Sequence, residues 1–509
     1  MTDTVSSRHV SPWVDTMPQP QLPPTRLQDV TPDVLVIGGG IVGITTALLL
    51  QRAGRRTCVV QARELSHSVT THATVKVTVG HGTLYSQIEQ KRGFEAARIY
   101  AEANVAGFEQ TLELVRTLDI DCMLEHGPPH VVYAEKPEER EKVEREADVV
   151  RRIGLPTSMS QDVPLPFDVD AALHFDNQAH FHPARYLAGL AEALVGEGGA
   201  VVQGVRGLSV DEDADTCHVE TTAGTVSAPY VVVATQYPFL DRGGHFAWLK
   251  ASRSYGIAGV LPPGTSAGMT INVGSPTHST RSVKLGDEEL LIVVGEGHEV
   301  GHVSETAQRW QRLQQWATER FGVSDFRYHW SAEETSTLDK VPFAGFIAPG
   351  SERVLTAAGF SGWGMTNGTA SALMLRDLIL GQDNPWVEVF DARRAETTVP
   401  GRDFVKHNVH VGKTWLKDRL RRPEGTADDL GPGDAGIVDV AGEKSAAYRD
   451  DQGVLHAVSP VCTHLGCDVE WNDGERSWDC PCHGSRFSYE GEVLHGPATA
   501  PLAKRDREG

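Results

Sequence analysis

Hydrophobic positions along the chain change period several times, and each change marks an element. Val34-Leu-Val-Ile37 is an unbroken apolar run, the pattern of a strand buried on both faces. Glycines interrupt it, and apolar residues resume through Ile44–Arg52 as a buried helix. Thr57–Arg63 reads as a second strand. Stretches 94–118 and 137–153 carry apolar residues at helical spacing with acidic outer faces, predicting amphipathic helices. Ala184–Val195 predicts a helix, Ala200–Val210 a strand, Val219–Thr222 with Thr225–Ser227 a hairpin, and Val231–Thr235 a short buried strand. From 245 to 345 apolar and polar positions alternate, as in Leu290–Val294, predicting a mostly antiparallel sheet. Val354–Gly368 reads as a strand and a glycine-rich turn that enter a helix at Thr369–Leu380. Residues 1–32 are proline-rich and aperiodic, an arm laid over the surface. Phe404–Arg422 is a basic helix, either a solvated connector or a docking face, and short strands follow Gly431–Gly436.

Composition narrows the class. A chain of 509 residues can hold roughly two or three domains. The formal charge of −21 argues against nucleic acid and against an anionic membrane surface as partners. It fits a soluble enzyme, or one with a basic redox partner. No run approaches the ~20 apolar residues of a membrane span, and the N-terminus lacks a charged, then apolar, signal segment. Cytoplasm is therefore the expected location. Seven cysteines are too few for a secreted scaffold. Cys58, Cys122 and Cys217 are scattered and read as inert thiols.

Two stretches carry candidate cofactor chemistry in the first four hundred residues. Asp33–Gly43 joins strand, glycine turn and helix, the dinucleotide fingerprint. Gly38 permits the tight turn, Gly40 lets a pyrophosphate approach the amides of Ile41 and Val42, and Gly43 packs helix on strand. An acid should stand at the end of the second strand to meet the ribose; Gln61 stands there, followed by Ala62 and Arg63. Gly359–Gly368 repeats the turn-and-helix logic, and its helix N-terminus could stabilise negative charge. Leu290–Gly297 imitates a second nucleotide turn, but Gly301 falls one residue late and the next helix starts only near Ser304. His174, His180 and His182 cluster around Phe175–Pro183, without the carboxylate or thiol spacing of a metal site.

The most specific signal lies near the C-terminus. Cys462-Thr-His464 and Cys480-Pro-Cys-His483 form a CxH and a CxxH box. Two thiolates on one iron and two neutral imidazoles on the other are the ligand set of a Rieske [2Fe–2S] centre. A Cys₂His₂ zinc site is the competitor, but structural zinc favours CxxC and HxxxH spacing.

These boxes resemble those of the Rieske proteins of respiratory and photosynthetic electron chains. The resemblance implies a Cys467–Cys482 disulfide that clamps the cluster loops, unusual in a reducing cytoplasm. It also implies that Ser485 hydrogen-bonds a cluster sulfide. Where those proteins carry a tyrosine aimed at a ligand sulfur, this chain has Phe487.

Gly38–Gly43, Thr70–Lys76, Asp176–Pro183, Val231–Pro238, Leu338–Gly345 and Gly359–Gly368 together resemble FAD-dependent oxidoreductases of the D-amino-acid oxidase and glycine oxidase group. Bacterial members with a C-terminal Rieske domain are especially similar. The implied fold is an α/β FAD-binding Rossmann-like domain with an antiparallel-sheet substrate domain, plus a C-terminal all-β Rieske domain. The expected boundaries are an arm at 1–32, the oxidoreductase at 33–395, a linker at 396–432 and the Rieske domain at 433–509. Within the oxidoreductase, 33–245 and 346–382 would bind FAD and 245–345 would form most of the substrate domain. Thr70, Thr71, Ala73 and Lys76 would lie along FAD, and Gly364, Met365 and Thr366 would meet the flavin ring. Some members attach FAD covalently through a histidine where His72 stands; a noncovalent contact is the alternative. Arg253 and Arg281 are candidates to hold a substrate carboxylate.

The resemblance implies an FAD-dependent dehydrogenase for an amine or amino-acid-like substrate. Electrons would pass from flavin to cluster, leave through an edge formed by His464 and His483, and reach an external acceptor. The rivals are a cluster-fed flavin reductase and a non-catalytic redox sensor. A Rieske oxygenase would need a large iron domain after His483, and too few residues follow it.

Overall fold

Val34–Ile37 occupies the middle of a six-stranded sheet, since four consecutive apolar side chains can be satisfied only where both faces are covered. The computed structural model describes residues 7–302, 305–397 and 401–505. Strand order in this sheet is Ala200–Gln203, Thr57–Gln61, Val34–Ile37, Tyr230–Val233, Val354–Ala358 and Phe343–Phe346. All pairs are parallel except the last. Helices Ile41–Arg52 and Gly364–Leu380 follow the two strands that flank Tyr230–Val233 and pack on each other, and a Cβ on Gly368 would lie 2.9 Å from Ile41 Cγ2.

Several boundaries differ from the sequence reading, each for a local reason. The predicted strand 200–210 divides into Ala200–Gln203 and Gly207–Glu212, because Gly204 adopts φ +75° between them. The late helix begins at Gly364 rather than Thr369, so Met365 and Thr366 form its first turn. Leu290–Gly297 lies inside the long strand Glu288–Glu299 and makes no nucleotide turn.

The second sheet has nine strands, with Phe326–Thr337, Leu249–Val260, Glu288–Glu299 and His278–Leu285 antiparallel at its centre. It also takes in His130–Ala134, Ala171–Phe175 and Thr157–Met159 from the first half of the chain. The N-terminal arm is more than a surface covering. Arg8–His9 adds a parallel strand beside Tyr328–His329. Trp13 is fully buried, and its indole donates to Ala73 O at 2.9 Å. Burying that indole stabilises the fold by on the order of 4 kcal/mol.

The last domain holds a three-stranded sheet, Ala435–Val440, Glu443–Arg449 and Leu455–Val458, and a four-stranded sheet spanning Glu470–His495. Trp478 and Phe487 fill its core, together with all four cysteines of the boxes. Helix Arg402–Leu420 connects the two bodies. Its Phe404 ring packs 4.8 Å from Trp248, Asn408 donates to Ala247 O, and Val411 and Trp415 touch the core of the last domain. No helix among the described residues is long and apolar enough to cross a membrane.

Candidate functional site

A cavity of about 300 Å³ opens where the first sheet ends. Gly38, with φ +115°, turns the chain so tightly that a Cβ would lie 2.3 Å from Ala234 O. A Cβ on Gly43 would meet Gly38 O at 1.8 Å, so the helix can approach the turn only through glycine. The turn delivers the N-terminus of Ile41–Arg52 to the cavity, where first-turn amides lack partners within the helix. Thr70 Oγ1 accepts from Ile41 N at 3.1 Å and ties segment 70–76 to that end.

The cavity gathers Gly38, Gly40, Ile41, Val42, Gln61, Ala62, Arg63, Thr70, Ala73, Lys76, Gly364 and Met365 on one surface. Gly43 lies behind it. Thr71 is buried, with its hydroxyl on Ser66 O and Ser68 O; Thr366 hydrogen-bonds Thr78 O and His81. Gln61 has a task that strand position alone does not disclose. Its Oε1 accepts from Gly39 N at 2.8 Å and braces the turn, and its amide NH₂ donates to Glu64 O at 3.5 Å, so one amide N–H is left for a ribose hydroxyl. His72 lines the cavity with Nδ1 held 3.0 Å from Ser68 O. Gln236, at φ +65°, presents a buried Oε1 with no protein partner. A helix terminus for an anion, an amide for a ribose and an unpartnered acceptor deeper in suit a flavin dinucleotide.

The Cys–His boxes form the second centre. The Cys462 and Cys480 thiols are buried and hydrogen-bond each other, which lowers Cys462 to about 7 and raises Cys480. Ser485 also hydrogen-bonds Cys462. Burial, and then His464, push His483 down to about 3, so its imidazole is neutral as a metal ligand must be. Nδ1 of His464 and Nδ1 of His483 are both buried without a partner. Two orphaned ring nitrogens beside two free thiols suit a Rieske cluster. Cys467 and Cys482 are joined by a disulfide. By contrast, burial pushes Cys58 and Cys122 up to about 12 and Cys217 to about 11, fitting inert core thiols. His174 and His182 also have ordinary tasks: His174 contacts Ser160 O, and His182 caps helix Pro183–Gly196.

Tertiary structure overturns one expectation about the histidine edge. It does not face outward. His464 Nε2 lies 2.9 Å from Asp241 Oδ1 of the first body, and the side chain is 4% exposed. His483 packs edge-on against Phe246 and Tyr237, with ring centroids 5.8 and 6.3 Å away. Tyr237 lines the dinucleotide cavity, as do Leu494–Thr499 of the last domain. That loop also touches the cluster site, since Ala498 N donates to Ser485 Oγ at 3.0 Å. The two centres therefore share a wall, built from Tyr237 on one side and His495–Thr499 on the other.

Buried ion pairs fix this docking. Arg253 donates to Ser331 Oγ and Glu333 Oε2, at 3.0 and 3.1 Å, and lies 3.6 Å from Asp479 in the cluster domain. Arg281 donates to Phe181 O, with its guanidinium 4.7 Å over the Trp13 ring. Neither arginine lines the cavity. Sequence reading passed over Glu334, Arg206 and the 494–499 loop and gave no role to Gln236 and Tyr237 within Val231–Pro238; all of these line it. No motif spacing marks them, because segments far apart in sequence bring them together.

Fold and site define a flavin-dinucleotide oxidoreductase with a Rieske domain docked on it. Residues 33–378 match the FAD dependent oxidoreductase family and residues 422–505 the Rieske [2Fe-2S] domain. The chain belongs to that FAD-dependent oxidoreductase family and carries a C-terminal Rieske domain; the family binds FAD and the domain a [2Fe–2S] cluster. It is 32% identical over 495 residues to YhfW of Bacillus subtilis, described as a Rieske 2Fe-2S iron-sulfur protein, covering 97% of both chains. Glycine oxidase from Geobacillus kaustophilus superposes with a TM-score of 0.58 at 17% identity, over 72% of this chain and 99% of that one. L-proline dehydrogenase from P. horikoshii gives 0.58 at 18% identity, over 72% and 98%. At such identities these two likenesses concern the fold alone.

Phe487 is fully buried in the core that holds the ligand cysteines. Hydrogen bonds to cluster sulfurs favour the reduced, more negative state, and a phenyl ring supplies none. Phe487→Tyr should raise the potential within the roughly −150 to +300 mV Rieske window. Protein-film voltammetry showing no rise, with the cluster spectrum intact, would contradict this.

Proposed function

We propose that the protein is a dehydrogenase that oxidises an amine or amino-acid-like substrate and passes the electrons through its Rieske domain to an external acceptor. The observation that supports electron exchange between the two centres is their shared wall; the direction, from substrate outward, rests on the resemblance to amine- and amino-acid-oxidising flavoenzymes. When bound, FAD takes up two electrons from a substrate C–H bond, and the cluster draws electrons off singly. The chain's own residues hold the two sites in register. Asp241 fixes the His464 ring, Tyr237 and Phe246 pack on His483, and Arg253 with Glu333 and Asp479 keeps the domains from separating. An enzyme that only handed electrons to oxygen would need no such docking. The names of the structural neighbours, glycine oxidase and L-proline dehydrogenase, support the substrate class.

Anaerobic mixing with a panel of amines, amino acids and hydroxy acids tests this. At least one nitrogen-containing compound should bleach the flavin band, and the electron-spin signal of a reduced Rieske centre should follow. Bleaching by hydroxy acids alone would reject the substrate class; bleaching without the spin signal would reject the electron route.

A further inference from the structure

The strand Phe326–Thr337 sends successive side chains to opposite faces. Glu333 goes to Arg253 and the cluster domain. Glu334 takes the opposite face and, like its neighbour Glu333, borders the cavity, but without an arginine partner. Its Oε2 lies 2.5 Å from where a Cβ on Gly362 would stand, so only a glycine there lets the carboxylate rest against the turn that opens helix Gly364–Leu380. It adjoins Gly364 and Met365, which line the same cavity and are the residues expected to meet the flavin ring. Glu334 has no hydrogen-bond or ion-pair partner among the described residues. Burial holds its carboxyl above the ordinary range, with Lys340 opposing.

Four cations of the region are committed elsewhere, and Arg206 donates to Val493 O. Arg253 is bound to Glu333 and Asp479, and Arg281 to Phe181 O. Arg63 lines the cavity beside Gln61. Lys76 donates to Thr270 O and Ser279 Oγ, and burial lowers it well below its usual range, which favours an uncharged amine. Lys340 offsets the burial of Glu334 only in part, so a substrate carboxylate entering there meets a carboxylate of like charge. An ammonium group meets Glu334 and offsets the cost of burying it unpaired. Val294 and Ala332 beside it offer an apolar wall for carbon substituents.

Resting on the dehydrogenase reading above, we infer that Glu334 anchors the substrate by its ammonium group, and that the substrate class is amines without a carboxylate rather than amino acids. Glu334 therefore selects the substrate's charge.

The test uses the FAD- and cluster-loaded protein, with binding read from perturbation of the visible flavin band. Trimethylammonium should perturb the band saturably, and the compact branched anion pivalate should not. Glu334→Gln should raise the Kd for trimethylammonium about tenfold or more, the scale of a lost charge-assisted hydrogen bond. Glu334→Asp should retain part of the affinity. FAD content and the cluster spin signal of each variant report that the site is intact. Wild-type preference for pivalate overturns the inference without any variant, and so does unchanged trimethylammonium binding in a well-folded Glu334→Gln. If amino acids bleach the flavin better than their decarboxylated amines, this inference fails and the dehydrogenase reading stands. If no compound bleaches the flavin while the trimethylammonium result holds, the dehydrogenase reading fails and the cation site stands.

Discussion

Cys480→Ser should empty the cluster site and leave substrate-driven bleaching of the flavin unchanged. Soft thiolates select iron–sulfur clusters, and a serine hydroxyl is a poor replacement. The loop itself has little reason to collapse. Cys480 N donates to Ser485 O at 2.7 Å and Gly484 N to Cys480 O at 3.0 Å, backbone bonds that a serine preserves. Turnover with a one-electron acceptor that draws from the cluster should then fall to background, while anaerobic bleaching in a stopped-flow cell keeps its wild-type rate. If electrons run instead from an external donor through the cluster to flavin, the variant's flavin should no longer be reducible by that donor, and substrate should not bleach it. The shared wall serves either direction, so this comparison decides between a dehydrogenase and a cluster-fed reductase.

Arg253→Met should destabilise the protein by about 3–5 kcal/mol, the usual cost of removing one partner from a buried ion pair. Side chains of Arg253, Glu333 and Asp479 are 2%, 3% and 3% exposed, so water cannot compensate the loss. Asp479 keeps Arg486, 3.6 Å away, whereas among the described residues the ion-pair partner left to Glu333 is His495, 3.4 Å away. Glu333 is thus the charge left stranded, and adding Glu333→Gln should recover part of the lost stability. Such non-additivity is expected of residues in one network. Calorimetric unfolding of the wild type, the single and the double variant measures it. A single variant as stable as wild type would show that the pair contributes nothing to holding the domains together. Because Arg253 joins the nine-stranded sheet to the cluster domain, flavin-to-cluster electron transfer should slow in the same variant.

What the sequence determined by itself was the chemistry written in contiguous residues. The glycine turn at Gly38–Gly43 is legible because strand, turn and helix are neighbours, and Gly43 is required by Gly38 O within the turn itself, although what presses on Gly38 is the distant Ala234 O. The Cys–His boxes are legible because ligand type and spacing already specify a two-sulfur, two-nitrogen set. Trp13 was not legible: its burial depends on Ala73, and no periodicity in a proline-rich arm announces that contact. Tertiary structure alone decided how the pieces face one another. His464 meets Asp241 across 223 positions, and Arg253 meets Glu333 across 80. Those pairings turned an expected outward edge inward and gave a candidate substrate arginine a structural partner. They also left Glu334, one residue from Glu333, unpaired over the cavity. The physical reason is that burial and charge compensation depend on which surfaces pack together, and that is settled by the sum of many distant contacts rather than by any local run of side chains.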